Sequence, residues 1–220
     1  MTIQTALRRL CDSRSGVAMT EFALALPLLL TAGLWGTETA YLSMIHMRVS
    51  QLATHVADNG SRVGDTSTLE DRKIYESDIN DLLLGANIQG GNALDFFQHG
   101  RVIVSSLEVD ADGSQYIHWQ RCKGVKVHPS TYGDEGDVVS ADGMGPPGEQ
   151  VSAEPGDAVI FVEVAYDYQP LVSARFFGDT EITATAAFTV RDDRDLSQIY
   201  QRDPGSPDTV SRCSAHDAFS

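Results

Sequence analysis

The chain has 220 residues, 42% of them hydrophobic, and a formal net charge of −15, with a mean hydropathy of −0.17. Such a length holds one ordinary domain plus an extra element, and the mean hydropathy excludes a polytopic membrane protein while allowing one span. The acidic balance excludes nucleic acid as a natural partner and disfavours anionic lipid headgroups.

The charge is unevenly placed. Residues 1–16 set Arg8, Arg9 and Arg14 against Asp12, so a short basic end precedes an acidic body. A basic end followed by an apolar run is the layout of a targeting or topogenic signal. The run begins RSGVAMTEFALALPLLLTAG, Arg14 to Gly33. No formal charge falls between Phe22 and Thr37, and the apolar character resumes past Glu38 through Tyr41, Leu42, Met44, Ile45 and Met47. As a helix, Phe22 to Met47 is about 39 Å long. That is ample for a hydrocarbon core of about 30 Å, with tilt. Beyond Arg48, Val49, Leu52, Ala53 and Val56 recur at spacings of three and four, and Asp58-Asn59-Gly60 is a helix-ending sequence. One helix is therefore expected over about 17–57, embedded in a membrane at its start and amphipathic at its end. Pro27 is expected to kink it rather than end it.

Ser67-Thr68-Leu69-Glu70 fits a capping box. The residues after it predict a short helix over about 68–85 that ends at Gly85, and Asn92 to Gln98 suit one or two further turns. Strands follow. Arg101–Asp110 and Gln115–Arg121 flank Asp112-Gly113, a strong hairpin signal, and Gly124–His128 is a candidate third strand. Residues 129–157 are dominated by Pro, Gly, Asp and Glu and read as a long solvated loop. Ala158–Tyr168 places Ile160, Val162, Val164, Tyr166 and Tyr168 on one face. Glu181–Arg191 alternates apolar residues with threonines, the pattern of a strand with one packed and one wet face. The expected fold class is α+β, a long N-terminal transmembrane and amphipathic helix packed on an antiparallel sheet. Its divisions are residues 1–16, the helix over 17–60, an α+β domain over 61–195 and a polar tail over 196–220.

Cys122 and Cys213 are the two cysteines of the acidic body. In an oxidising compartment they form an even pair suited to a disulfide, and two separate thiols are the other reading. No Cys/His spacing suggests zinc. Gly143-x-Gly145-x-x-Gly148 matches a dinucleotide fingerprint as a string, but Pro146 and Pro147 remove the N–H groups a phosphate would need. Asp110-x-Asp112-Gly113 starts like a calcium loop and lacks the later acids, so it reads as a turn. Asp134, Glu135, Asp137 and Asp142 crowd one loop, better read as solvated than as a cation site. No catalytic constellation is evident, so neither catalytic residues, nor a resident metal, nor a cofactor is assigned.

Glu21 is the anomaly. A charge at mid-bilayer costs roughly 2.5–3.5 kcal/mol even on the gentler insertion scales. An ordinary signal peptide or a plain anchor leaves it unexplained. Cleavage after Gly16 explains it. Val17 then becomes the first residue, and Glu21 sits one helical turn from the new amine, where it also complements the positive end of the helix dipole. Arg14-Ser15-Gly16 followed by Val17-Ala18-Met19-Thr20-Glu21-Phe22 resembles the processing site of type IV prepilins, with Gly16 before the cut, Glu21 as the fifth-position glutamate and Phe22 at a position usually aromatic in the Flp branch. The short leader and EFALALPLLL further resemble the TadE-like (TadE/TadG) pseudopilins of tight-adherence pilus systems. SSLEVDADG, HWQRC and TATAAFTVRDDRDLSQIY resemble that family in style.

The resemblance implies a pilin-like fold and a non-enzymatic minor pilin or pseudopilin. It also implies a prepilin peptidase, other pilins or pseudopilins and the inner membrane as partners, with the N-terminus cytoplasmic and the body periplasmic. A body this large departs from the major Flp pilins, which are little more than the helix. An unprocessed membrane-anchored periplasmic domain with a binding or enzymatic function is the rival. A secreted adhesive domain behind an ordinary signal peptide is the third reading. Glu38 is expected to mark the far membrane interface.

Overall fold

The computed structural model describes residues 15–65, 71–173, 178–191 and 193–219. A single helix, α1 (Ser15–Gly60), runs unbroken through Pro27. It is followed by α2 (Glu76–Leu94), the one-turn α3 (Phe96–His99), β1 (Gly100–Val109), β2 (Gln115–Lys123), β3 (Val159–Asp167) and β4 (Glu181–Thr189). The strands form one antiparallel sheet in the order β2-β1-β3-β4. The fold is α+β, as its apolar periodicities predict.

The two halves of α1 meet different surroundings. Gly16 to Thr37 is exposed on every face. Its 22 residues make about 33 Å of helix. From Glu38 onward a buried stripe appears, with Ile45, Val49, Leu52, Ala53, Val56 and Ala57 almost fully enclosed. This half of the helix lies over β3 and β4, and its buried residues share one core with Ile160, Val162, Val164 and Tyr166 of β3, Ile182 of β4, and Val102 and Val104 of β1. Burial of each large aliphatic side chain contributes about 1.5–3 kcal/mol, so this half is held by the domain. The apolar run Phe22–Met47 is therefore divided at Glu38, and by Ile45 it already belongs to the core.

The direction of α1 is set at both ends. Glu38 lies beside Tyr168, just past β3, and Gly60 lies against Ile160 near its start, so close that an added Cβ would fall 3.0 Å from the Ile160 side chain. α1 thus runs opposite to β3 and leaves the domain at the end of the sheet where β1 and β4 begin and β2 and β3 finish.

Three expected elements differ. The capping box at Ser67–Glu70 lies outside the described residues, and α2 starts at Glu76. Before it, Arg72 and Tyr75 are drawn into bridges with Arg194 and Tyr200, and the Asp78 carboxylate accepts from the Tyr75 N–H to cap the first turn. Gly85 does not end α2. The helix continues until Gly91 (φ 62°) breaks its regularity, and Asp95, itself left-handed, closes the end by donating to Gly91 O. Residues 124–128 are not a strand. Gly124 (φ 123°) turns the chain where a Cβ would strike Gly100 O, and the Val125 N–H then goes to Phe97 O of α3.

The long segment 129–157 does more than fill solvent. Its few apolar residues, Met144 and Ala153 among them, cover the face of the sheet opposite α1 and enclose Leu107, Ile117, Val159 and Phe161. Tyr132 meets Phe161 edge-on at 5.0 Å. The turn at Asp110–Ser114 forms the expected hairpin, with Asp110 Oδ1 accepting from the Asp112 and Ser114 N–H groups. The glycines at 143, 145 and 148 lie in a tight loop closed by a Met144–Val151 bridge.

The polar C-terminal segment is tied to the domain. Cys122 of β2 is bonded to Cys213, and backbone bonds from Cys122 N to Ser211 O and from Gly124 N to Asp217 O run beside them. Phe219 packs against Phe97.

Candidate functional site

The sequence-derived processing residues all stand at the start of α1. Gly16 and Val17 are within its first turn, and Val17, Glu21 and Phe22 are exposed. Helical geometry puts Val17 and Glu21 on one face, a turn apart. Thr20 Oγ1 donates to Val17 O at 2.8 Å. Among the described residues, no hydrogen bond or ion pair engages Glu21. Gly16 has no steric reason to be glycine, because an added Cβ would meet nothing within 4 Å. A glycine inside a helix costs about 0.5–1 kcal/mol relative to alanine, so the local fold gains nothing from it.

The threonine hydroxyls of the exposed half of α1 are satisfied within the helix. Thr31 donates to Pro27 O at 2.7 Å and Thr37 to Gly33 O at 2.9 Å. Such back-bonding satisfies hydroxyls without water. The helix is long and apolar enough to cross a membrane by length and composition. Ala32, Gly36 and Ala40 also recur at four-residue spacing along it, all exposed.

The second carboxylate of α1 has the opposite fate. Glu38 is completely buried. Its Oε1 accepts from Tyr168 Oη at 2.5 Å and from Leu171 N at 3.2 Å, and Oε2 accepts from Val172 N at 2.8 Å. Burial first, and then the Glu38 carboxylate, pushes the Tyr168 phenol up, so it stays a donor. Tyr41 packs on Tyr168 at 5.9 Å between ring centroids. Glu38 therefore fastens the β3–β4 connection to the helix at the point where the helix leaves the domain. Sequence pattern places Glu38 at a membrane boundary and misses this clamp. A signal for it is nonetheless present, since counting back from Val56 by threes and fours through Leu52, Val49, Ile45 and Leu42 arrives at Glu38.

The remaining buried charges are likewise engaged within the domain. Arg121 binds Glu76 at 2.6 Å and Glu135 at 2.9 Å. Burial opposes its charge, but the two carboxylates outweigh it and raise its pKa. Arg101, nearly fully buried, donates to the carbonyls of Gly124, Ala215 and Cys213 and lies 2.9 Å from His216 Nδ1. Burial lowers its pKa, partly offset by Asp217. His118 is raised by its hydrogen bond to Glu108, against the effect of burial.

No three metal-type donors come together among the described residues. In the acidic loop, Glu135 pairs with Arg121 and Asp137 accepts from the Asp134 N–H. Compared with known proteins, the chain matches no family model, no curated protein and no solved structure.

Proposed function

We propose that this chain is a minor pilin or pseudopilin of tight-adherence type IV pilus assembly. A prepilin peptidase removes residues 1–16. The mature protein starts at Val17, crosses the inner membrane once with its N-terminus cytoplasmic, and holds its α+β domain in the periplasm. It catalyses nothing. Its exposed helix half docks among the helices of other pilins or pseudopilins, and Glu21 sets the register through an amine, its own or a neighbour's.

The observation that carries this reading is the contrast at Glu21. It is a carboxylate without a partner among the described residues of its own chain, one turn from Val17, on an apolar helix that the domain leaves bare. An intramembrane carboxylate of that kind calls for a partner. Cleavage after Gly16 supplies one, and Gly16 itself answers no need of the helix. The small residues at 32, 36 and 40 suit close approach of a second helix.

The test is the mature N-terminus, obtained by intact mass and terminal sequencing of protein from its native membrane. A chain starting at Val17 is expected. Retention of the leader beside an active prepilin peptidase would favour the unprocessed anchored domain. A start near Tyr41 would mean ordinary signal cleavage and would remove the argument from Glu21.

A further inference from the structure

The end of the sheet where α1 leaves the domain carries exposed apolar side chains on two separate segments. Leu171 is 59% exposed and Val172 39% in the β3–β4 connection, and Val127 is 77% exposed and Val125 41% in the segment after β2. Both segments are held in place. The first is fastened to Glu38 through the N–H groups of Leu171 and Val172 themselves. The second is fastened by Lys126, whose Nζ lies 2.5 Å from Asp167 at the end of β3 and 2.7 Å from Glu181 at the start of β4. Its backbone N–H reaches Gly100 O at the start of β1. The ordering cost of presenting these side chains is therefore already met by buried or paired polar groups on the same loops.

Their position relative to the helix is the decisive feature. Thr37 is the last residue of the bare half and Glu38 the first buried one. Trp35, 56% exposed, stands one turn before Glu38. An indole at that place suits the water–hydrocarbon boundary, where aromatic belts lie. The Leu171–Val172 loop, bonded to Glu38, is thus at the height of that boundary.

We propose that Val125–Val127 and Leu171–Val172 form a shallow bilayer contact that seats the domain on the membrane its helix spans. The proposal rests on the membrane-spanning reading of Gly16–Thr37. The contact is apolar rather than electrostatic. Among the described residues of this rim, Lys126 is neutralised by Asp167 and Glu181 and Lys123 by Asp217, and the chain as a whole is strongly acidic, so attraction to anionic headgroups is not what holds it. What the bilayer offers this surface is its interfacial zone, into which exposed Leu and Val side chains can partition.

The experiment uses the full chain with Cys11→Ser, Cys122 and Cys213 remaining bonded. Single variants Trp35→Cys, Leu171→Cys, Val127→Cys and Val138→Cys are labelled with a polarity-sensitive fluorophore and reconstituted into phosphatidylcholine vesicles containing spin-labelled lipid. Val138 is exposed and bridges to Tyr116 at the far end of the sheet. Labels at 171 and 127 are expected to be quenched to an extent comparable with 35, while 138 stays unquenched, and molar salt should leave the pattern unchanged. Quenching at 35 with 171 and 127 resembling 138 overturns the contact and leaves the membrane span standing. Shielding of 171 and 127 that disappears on diluting the protein in lipid assigns the surface to a second copy and also overturns it. An unquenched label at 35 removes the span, and the proposal with it.

Discussion

Two carboxylates on one helix, 17 residues apart in the sequence, have opposite lives. Glu38 is enclosed, accepts three hydrogen bonds and is used up by the fold. Glu21 is exposed on a helix half, Gly16–Thr37, whose described residues are all exposed. The difference follows the halves they stand on. The Glu38 half presents a stripe of apolar residues with polar ones opposite, the pattern of a helix with a sheet on one side and water on the other. The Glu21 half is apolar all round, the pattern of a helix whose surroundings are uniformly apolar, lipid or other helices. A charge in the first kind of helix can be paid for within the chain. In the second kind its partner must come from elsewhere, or from a new N-terminus.

Breaking the comparison at Glu21 has the largest expected effect. Glu21→Ala should abolish co-assembly with partner pilins, read by co-purification and pilus output, while the thermal midpoint of the domain stays at the wild-type value and the protein still reaches the membrane. Normal pilus output from that variant would sink the proposed function.

The domain side of the comparison is probed by its covalent tie. Cys122 and Cys213 close a loop of 91 residues in sequence separation. Replacing both with serine should cost about 2–4 kcal/mol, measured by chemical denaturation, and should free the Cys213 segment that Arg101 also holds. An unchanged midpoint would mean that Arg101, the backbone bonds at Ser211 and Asp217 and the Phe219–Phe97 contact keep the segment in place without the disulfide.

Glu38→Ala sharpens the contrast from the other side. It strands the buried Tyr168 hydroxyl and two loop N–H groups, an effect of about 1–3 kcal/mol once the loop groups find water. Hydrogen exchange should rise at Leu171 and Val172 first. Glu38→Gln should rescue only part, because its amide can offer one oxygen where the carboxylate uses two. Full rescue would show that the charge itself is dispensable.

The smallest effect concerns His118. Its pKa is raised, chiefly by the hydrogen bond to Glu108, so the protonated pair adds stability that is fully present below about pH 6.5, the ordinary imidazole value. That contribution is lost as pH rises through the raised value in the folded protein. The difference in urea midpoint between wild type and His118→Gln should therefore shrink from pH 5.5 to pH 8.5, and a pH-independent difference would show that the pair carries no linked charge.

Much of the architecture is legible in the order of residues alone. The strands at 100–109, 115–123, 159–167 and 181–189 lie within a residue or two of their expected places, because alternation and turn chemistry are local signals that survive folding. The start of α2 is misplaced by local signals for a nonlocal reason. Arg72 and Tyr75 bond to residues more than a hundred positions later, which no local cap can reveal. Residues 129–157 look solvated because composition counts every residue equally, whereas a few of them, Tyr132, Val139, Met144, Val151 and Ala153, cover the sheet.

By itself, the sequence determined that there is one long helix, apolar all round at its start and striped at its end, followed by an antiparallel strand set. It also determined that Glu21 sits a turn from Val17, since that spacing is a property of any helix. Only the tertiary structure decided where the helix ceases to be bare and which of its carboxylates the domain consumes. The same contacts decided that Cys122 meets Cys213 and that the polar C-terminal segment is held by Arg101. Each of these depends on groups distant in sequence coming within about 3 Å of one another, a distance set by packing of the whole core rather than by any periodicity along the chain.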